Sequence, residues 1–150
     1  VESIEPNCRH TYRSNYTYRR MSSSTSASAK VAVIICASKD RQKFGNKAVR
    51  AFFQRGYLVI PIHPHAAEVE GFPAYKTVED VPVAIDVALV YVPPEIGMGL
   101  LEGLVARNIP EIWCNPGAES PALIERAVSL GLKPIVACSI VGIGERPDNY

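Results

Sequence analysis

Basic side chains cluster immediately after the first apolar run of the chain. The β-branched run of residues 31–36 passes into a small-residue turn, and a loop that carries Lys39, Lys43 and Lys47 follows. A buried parallel strand that ends in such a turn presents its ligand to the start of the next helix, where backbone N–H groups and nearby cations hold anions. The residue types and their spacing therefore predict a site for a phosphate-bearing nucleotide.

The loop after the first strand lacks the pattern of a dinucleotide-binding turn. Closely spaced glycines after strand one and an acid at the end of strand two mark that class of enzyme. Cys36 and Ser38 stand where the first two glycines would fall, only Gly45 follows in the loop, and residues 62–65 contain no acid. These absences disfavour an NAD(P)-binding oxidoreductase-like domain, which we keep as the alternative interpretation. The backbone donors, the Ser38 hydroxyl and the cations of the loop remain suited to a pyrophosphate.

Length and charge limit the classes of protein that fit this sequence. The chain has 150 residues, 47% apolar content and a formal net charge of +1, so it can bury the core of one domain. Basic residues concentrate in one loop instead of covering a face, which disfavours a nucleic-acid partner. No apolar run reaches the length of about 20 residues that spans a bilayer. The four cysteines show no Cys-x-x-Cys spacing, which favours reduced thiols and a cytoplasmic location.

The first 29 residues differ in composition from the rest of the chain. Residues 21–29 are rich in serine and alanine, and residues 9–20 are basic and aromatic. Because such a segment buries little apolar surface, we expect a disordered or weakly ordered tail over residues 1–29 and one folded domain over residues 30–150. The basic composition of the tail leaves import into an organelle open.

Apolar runs alternate with helical patterns from residue 30 onward. Strands are predicted over residues 31–36, 57–62, 86–92, 111–114 and 133–138. Helices are predicted over residues 46–55, 93–107 and 120–131, with one capped turn at residues 77–80. Strands joined by helices imply right-handed crossovers and a doubly wound Rossmann-like α/β domain, whose five-stranded parallel sheet carries helices on both faces. Ligands of such sheets bind beyond the carboxyl ends of the strands.

Side chains suited to catalysis are scarce. The carboxylates of Glu79 and Asp80 belong to a short surface turn, and Asp86 stands at a strand start where a structural cap is expected. His63 and His65 have no evident third ligand for a metal ion. We therefore predict no catalytic residue and no metal site.

Six short motifs occur along the folded part of the chain in a characteristic order. They are CAS at 36–38, VIPIHP at 59–64, GFPAYKT at 71–77, VYVPP at 90–94, WCNPG at 113–117 and the closing Cys138. In order and spacing they resemble the small stand-alone CoA-binding domain proteins, whose domain also forms the N-terminal part of the succinyl-CoA synthetase α subunit. The resemblance covers residues 30–143 and implies a Rossmann-like fold with CoA or acyl-CoA as the ligand.

The resemblance also implies a ligand groove along the carboxyl edge of the sheet. The turn and loop after strand one would meet the CoA pyrophosphate, with Ala37, Ser38, Lys39, Lys43, Phe44, Gly45 and Lys47. The end of strand two would lie near the adenosine, with Ile62, His63 and Pro64. The turns after strands three and four would line the rest, with Val92, Pro93, Pro94, Asn115, Pro116 and Gly117. The family usually has glycine at the position of Cys36 and often asparagine at that of His63.

Three cysteines fall at predicted carboxyl ends of strands, namely Cys36, Cys114 and Cys138. With strand order 3-2-1-4-5, strands one, four and five would be neighbours, and the three thiols would lie along one rim. In one interpretation they are small apolar residues beneath the loops. In the other, one thiol forms a mixed disulfide with CoA or accepts an acyl group.

The sequence therefore predicts a protein that binds CoA or acyl-CoA without evident catalysis, as a carrier, a sensor or a detached subunit of a larger enzyme. A protein-interaction module with a vestigial cleft is a further alternative, favoured by Cys36 at the glycine position. The expected partner is a small nucleotide ligand, with neither nucleic acid nor membrane. The apolar helix surfaces leave a homodimer or a partner enzyme subunit open.

Overall fold

Seven short strands and five helices make up the part of the chain that the computed structural model describes, residues 29–150. The strands are β1 (Val31–Ile35), β2 (Leu58–Ile62), β3 (Glu68–Val69), β4 (Phe72–Pro73), β5 (Val87–Val90), β6 (Glu111–Cys114) and β7 (Pro134–Val136). The helices are α1 (Phe44–Gln54), α2 (Pro94–Met98), α3 (Leu101–Ala106), α4 (Pro121–Ser129) and α5 (Ser139–Gly142). Single turns of 3₁₀ helix span Val78–Asp80 and Pro147–Asn149. The tail predicted over residues 1–29 lies, apart from its last residue, outside the described residues.

Five parallel strands form the central sheet in the order β2-β1-β5-β6-β7. All five residues of β1 are buried, and β1 pairs with β2 on one side and with β5 on the other. If these five strands are numbered one to five along the chain, their order in the sheet is 2-1-3-4-5. The order 3-2-1-4-5 considered from the sequence is therefore wrong. The doubly wound Rossmann-like α/β class itself is confirmed.

The outer edge of β2 explains why the third long strand does not pair there. The chain leaves β2 through the small β3–β4 hairpin and then runs back along that edge. Tyr75 lies beside Ile62, its N–H donates to the carbonyl of Pro61 over 3.0 Å, and its carbonyl accepts from the N–H of His63 over 2.9 Å. This segment therefore covers the carboxyl end of the outer edge of β2, and the next long strand pairs with β1 instead.

The helix predicted over residues 93–107 is two helices in the structure. α2 and α3 are separated at Gly99 and Leu100, whose N–H groups bond to the carbonyls of Ile96 and Gly97, three residues back, over 3.1 and 3.0 Å. Glycines at 97, 99 and 103 lower the helix propensity of this segment. The apolar periodicity therefore predicted a helical layer correctly, but not its interruption.

Alternate residues of the buried strands pack against opposite helix layers. On β1, Ala32 and Ile34 belong to an apolar cluster that includes Phe52 of α1. Val33 and Ile35 belong to the cluster on the other face, which contains the apolar residues of α3 and α4. This alternation leaves the carboxyl edge of the sheet open between the two layers. None of the helices in the described part has the length and apolarity needed to cross a membrane.

Candidate functional site

The carboxyl ends of β1 and β5 lie side by side at the centre of the sheet. The chain leaves β1 toward β2 and leaves β5 toward β6, so its crossovers diverge between these two strands. This divergence opens a crevice at the strand ends, which is where doubly wound sheets receive ligands. The candidate site is therefore built from the turns after β1, β2, β5 and β6.

The turn after β1 is held to the end of β2 by backbone hydrogen bonds. The N–H groups of Cys36 and Ala37 both donate to the carbonyl of Ile62, over 3.0 and 3.3 Å. Cys36 adopts a left-handed backbone conformation with φ of 69°, and its side chain is exposed, whereas Ala37 is fully buried. The first two donors of the turn are thus used within the protein, which fixes the position of the residues that follow.

Gly45 allows α1 to begin directly against this turn. A Cβ atom at position 45 would lie 2.6 Å from the carbonyl oxygen of Cys36, a backbone atom that has no room to move aside. Glycine is therefore required at this position if the start of α1 and the turn after β1 are to stay together.

Local hydrogen bonds order the loop between the turn and α1. The Ser38 hydroxyl accepts from the N–H of Asp40 over 3.0 Å, and the Asp40 carboxylate accepts from the N–H of Gln42 over 3.0 Å. The amide of the fully buried Asn46 donates to the Ser38 carbonyl over 2.8 Å and to Glu70 over 3.0 Å. Within residues 29–150, the N–H groups of Ser38 and Lys39 donate to no protein acceptor. The loop therefore presents backbone donors from an ordered conformation.

The cations of the loop differ in their partners. Lys39 and Lys43 are exposed and form no ion pair with any described residue. Lys47 is half-buried, and its ammonium donates to the carbonyl of Pro147 over 3.1 Å and lies 5.8 Å from the centre of the Phe44 ring. The first turn of α1 carries no acid. Lys39 and Lys43 are thus the cations available to an anion beside the start of α1.

The imidazole of His63 orders the turn after β2. Its Nδ1 atom accepts from the N–H groups of His65 and Ala66, over 3.0 and 2.9 Å. The His63 side chain thus takes the place of an Asx-type acceptor in this turn. No group of three potential metal-ligating side chains occurs among residues 29–150.

Buried hydrogen bonds join the ends of β5 and β6 to α5. The Asn115 amide donates to the carbonyl of Val90 over 3.2 Å, and its oxygen accepts from the N–H and hydroxyl of Ser139 over 2.8 and 2.9 Å. The Ser139 hydroxyl also lies 2.9 Å from the Tyr91 hydroxyl, and burial raises the pKa of Tyr91 above its ordinary value. Sequence reasoning missed Tyr91 and Ser139, although a tyrosine inside an apolar run signals a phenol that needs a buried partner.

The predicted ligand-contacting residues fall into three groups by exposure. The exposed ones are Lys39, Lys43, Phe44, Pro64, Pro93, Pro116 and Gly117. The half-buried ones are Ser38, Lys47, His63 and Pro94. The buried ones are Ala37, Gly45, Ile62, Val92 and Asn115. All of them belong to the strand ends, turns, loop and helix starts at the carboxyl edge, and the buried group supports the positions of the others.

The three cysteines do not all lie at the ends of neighbouring strands. β5 separates β1 from β6, so Cys36 and Cys114 are not on neighbouring strands. Cys36 is exposed, Cys138 is half-buried, and Cys114 is buried. Burial, together with the charge of Glu119, raises the pKa of the Cys114 thiol. The expectation that Cys36 neighbours Cys114 is therefore wrong, because it placed strands one and four together, whereas Cys114 and Cys138 do lie at or just beyond the ends of the neighbouring strands β6 and β7.

The fold and the site define the class of this protein. It is a parallel α/β domain with an ordered basic loop at the crevice where the crossovers diverge. The family model described as a CoA binding domain matches residues 30–143. The chain belongs to this family, and family membership supports a CoA-related ligand. No match is found among curated proteins.

Solved structures share the same architecture. A conserved hypothetical protein from Pyrococcus furiosus is 28% identical with a TM-score of 0.68, over 77% of this chain and 99% of that protein. The cell-free ID.343 protein of Thermus thermophilus is 26% identical with a TM-score of 0.69, over 75% and 87%. The dinucleotide forming acetyl-coenzyme A synthetase 1 of Ca. Korarchaeum cryptofilum, in complex with phosphate and ADP, is 28% identical with a TM-score of 0.63. That match covers 72% of this chain but 25% of the synthetase.

Proposed function

We propose that this protein binds CoA or acyl-CoA along the carboxyl edge of its sheet and has no catalytic step of its own. The observation that carries the proposal is the ordered loop after β1, where Lys39 and Lys43 have no ion-pair partner among the described residues. CoA is a polyanion, and a pyrophosphate is recognised well by unpaired cations beside backbone N–H donors. The residues present therefore fit this ligand.

Each part of the groove suits a different part of CoA. The N–H groups of Ser38 and Lys39 and the ammonium of Lys43 are assigned to the phosphates. The turn at His63 and Pro64 is assigned to the adenosine. The exposed prolines at 93 and 116 offer rigid apolar surface for the pantetheine arm. Buried residues such as Asn115 position these turns in the proposal rather than contacting the ligand.

The proposed physiological role rests on the carboxylates near the groove. Three described carboxylates near the groove accept hydrogen bonds from neighbouring residues of the fold: Asp40 from Gln42, Glu70 from Asn46 and Glu119 from Gly117. A domain that binds CoA without a general base is suited to carry CoA, to sense its level, or to serve as a detached subunit beside a catalytic partner. The similarity to one quarter of an acetyl-CoA synthetase supports the subunit role.

Calorimetric titration of the full chain with CoA, acetyl-CoA, NAD and NADP tests the proposal. We expect CoA and acetyl-CoA to bind and both dinucleotides to bind more weakly. Lys43→Glu should weaken CoA binding at least about tenfold, because a phosphate-facing cation becomes an anion. Lys133→Glu is the matched control, since this exposed lysine precedes β7 and therefore lies at the amino ends of the strands, away from the proposed groove.

Three outcomes contradict the proposal. Tighter binding of NAD than of CoA would support the oxidoreductase-like alternative. No heat with any of the four ligands would support an interaction module with a vestigial cleft. Equal losses in the Lys43 and Lys133 variants would show that the effect is general charge and that the loop is not the anchor.

A further inference from the structure

A second cavity opens at the amino edge of the sheet, opposite the proposed CoA groove. It has a volume of about 370 Å³ and lies where β1, β5 and β6 begin, between the ends of α1 and α5. This volume falls within the range of small-molecule sites. β1 is five residues long, which separates the two edges by about 16 Å. The cavity is therefore distinct from the carboxyl-edge site, and its use does not depend on the proposed CoA function.

Two carboxylates at the starts of neighbouring strands line this cavity. Asp86 directly precedes Val87, which pairs with Glu111 across β5 and β6. The Oδ2 atom of Asp86 accepts from the N–H of Val31 over 2.7 Å, and the Oε1 atom of Glu111 accepts from the indole N–H of Trp113 over 2.5 Å. These bonds hold both carboxylates in place.

The charge of these carboxylates is not neutralised within the described part of the chain. Neither Asp86 nor Glu111 forms an ion pair there, and the second oxygen of each accepts no hydrogen bond from a described residue. Lys30 is the one basic side chain of the cavity lining. Two oriented acids against one lysine leave the cavity with net negative charge, which favours a cationic occupant.

Aromatic rings supply the apolar part of the lining. Phe52 is buried and meets the Tyr57 ring edge to face, with centroids 4.8 Å apart. Trp113 lies against the backbone of Gly142, where a Cβ atom would come within 2.5 Å of the indole ring. The rings are thus held by packing before any ligand arrives. Tryptophan and tyrosine faces attract organic cations through their ring quadrupoles.

We propose that this amino-edge cavity binds a small organic cation, an ammonium or guanidinium group carried on an apolar or aromatic body. The cation pairs with the two held carboxylates, and the body packs on the indole and phenol rings. Polyanionic CoA is excluded from this cavity by the same charges. The chain therefore has two sites of opposite charge preference at opposite edges of one sheet.

Trp113 is the single tryptophan of the sequence, so intrinsic fluorescence reports directly on the cavity. We would titrate the full chain with phenethylammonium as the probe and with the neutral 2-phenylethanol as its matched control. The proposal expects a saturable change of fluorescence with the cation and a much weaker response to the alcohol. A flat titration, or equal responses to the two probes, overturns it.

Variants of the two carboxylates locate the site. Glu111→Gln keeps an acceptor for the indole and removes the charge, so the affinity for phenethylammonium should fall roughly tenfold. Glu125→Gln, an exposed change on α4 outside the cavity, should leave it unaltered. Asp86→Asn keeps an acceptor for Val31 and provides a second variant should the first unfold. Unchanged affinity in a folded carboxylate variant, or competition between phenethylammonium and CoA, would overturn the assignment.

Discussion

Replacing Cys36 by glycine should stabilise the fold, because this residue is held in a left-handed conformation. Its φ of 69° costs an L-residue about 1–2 kcal/mol, and glycine adopts it without a Cβ penalty. The Cys36 side chain is exposed, so its removal sacrifices little apolar burial. The extra freedom of glycine in the unfolded chain offsets about 0.4–1 kcal/mol. The net gain is about 0.5–1 kcal/mol, which corresponds to a rise in Tm of about 1–4 °C for a chain of this size.

Cys36→Ala separates backbone strain from the loss of the thiol. Alanine removes the sulfur but keeps the Cβ atom, so its Tm should stay close to that of the parent protein. Differential scanning calorimetry of the three proteins under reducing conditions measures the comparison. If the alanine and glycine variants melt at the same temperature, the left-handed backbone is not the cause, and the argument from φ is wrong.

Two further predictions concern packing and pH. Gly142→Ala should lower the free energy of unfolding in urea by about 1–3 kcal/mol, because the added Cβ atom would meet the ring of Trp113. In the control Gly99→Ala, the Cβ atom would meet only the carbonyl oxygen of Ile96 at 3.6 Å, so this variant should lose little stability. Equal losses in the two variants would contradict the packing argument. Stability should fall as the pH rises above about 10, because burial raises the pKa of Tyr91 in the folded state and the unfolded chain releases that proton first. Tyr91→Phe should flatten this part of the pH profile, and an unchanged slope would exclude Tyr91 as its source.

The five strands of the main sheet could be predicted from the sequence because each is a short, mostly apolar run between turn residues. Their order could not, because it depends on what occupies the outer edge of β2. The segment that does so contains a hairpin of two-residue strands, Glu68–Val69 and Phe72–Pro73, which is too short to give a periodic pattern. Tyr75 then pairs beside Ile62 through tertiary contacts that no local pattern records. The error in strand order carried directly into the expected cluster of thiols.

The candidate site, like the fold, could be predicted from the sequence only in part. The basic loop at the carboxyl edge was predictable, since its residue types and their place after a buried strand are both local features. The buried hydrogen bonds around the site were not, because the side chains of Asn46, Asn115 and Ser139 find their partners on other elements. The amino-edge cavity could not be predicted from the sequence at all. Its carboxylates and rings come from strand starts and helix ends that are distant in sequence and meet only in the folded domain.

The two departures from the family pattern have different physical consequences. At position 63 the family often has asparagine. An asparagine oxygen would accept from the same two N–H groups that donate to Nδ1 of His63 in this structure. At position 36 glycine is usual, and cysteine reproduces the backbone conformation only at the cost of strain. Both turns meet at the carbonyl of Ile62, which accepts from Cys36 and Ala37. Backbone hydrogen bonds at that carbonyl therefore hold the turn after β1 against the end of β2, and the strain at Cys36 remains in the turn after β1.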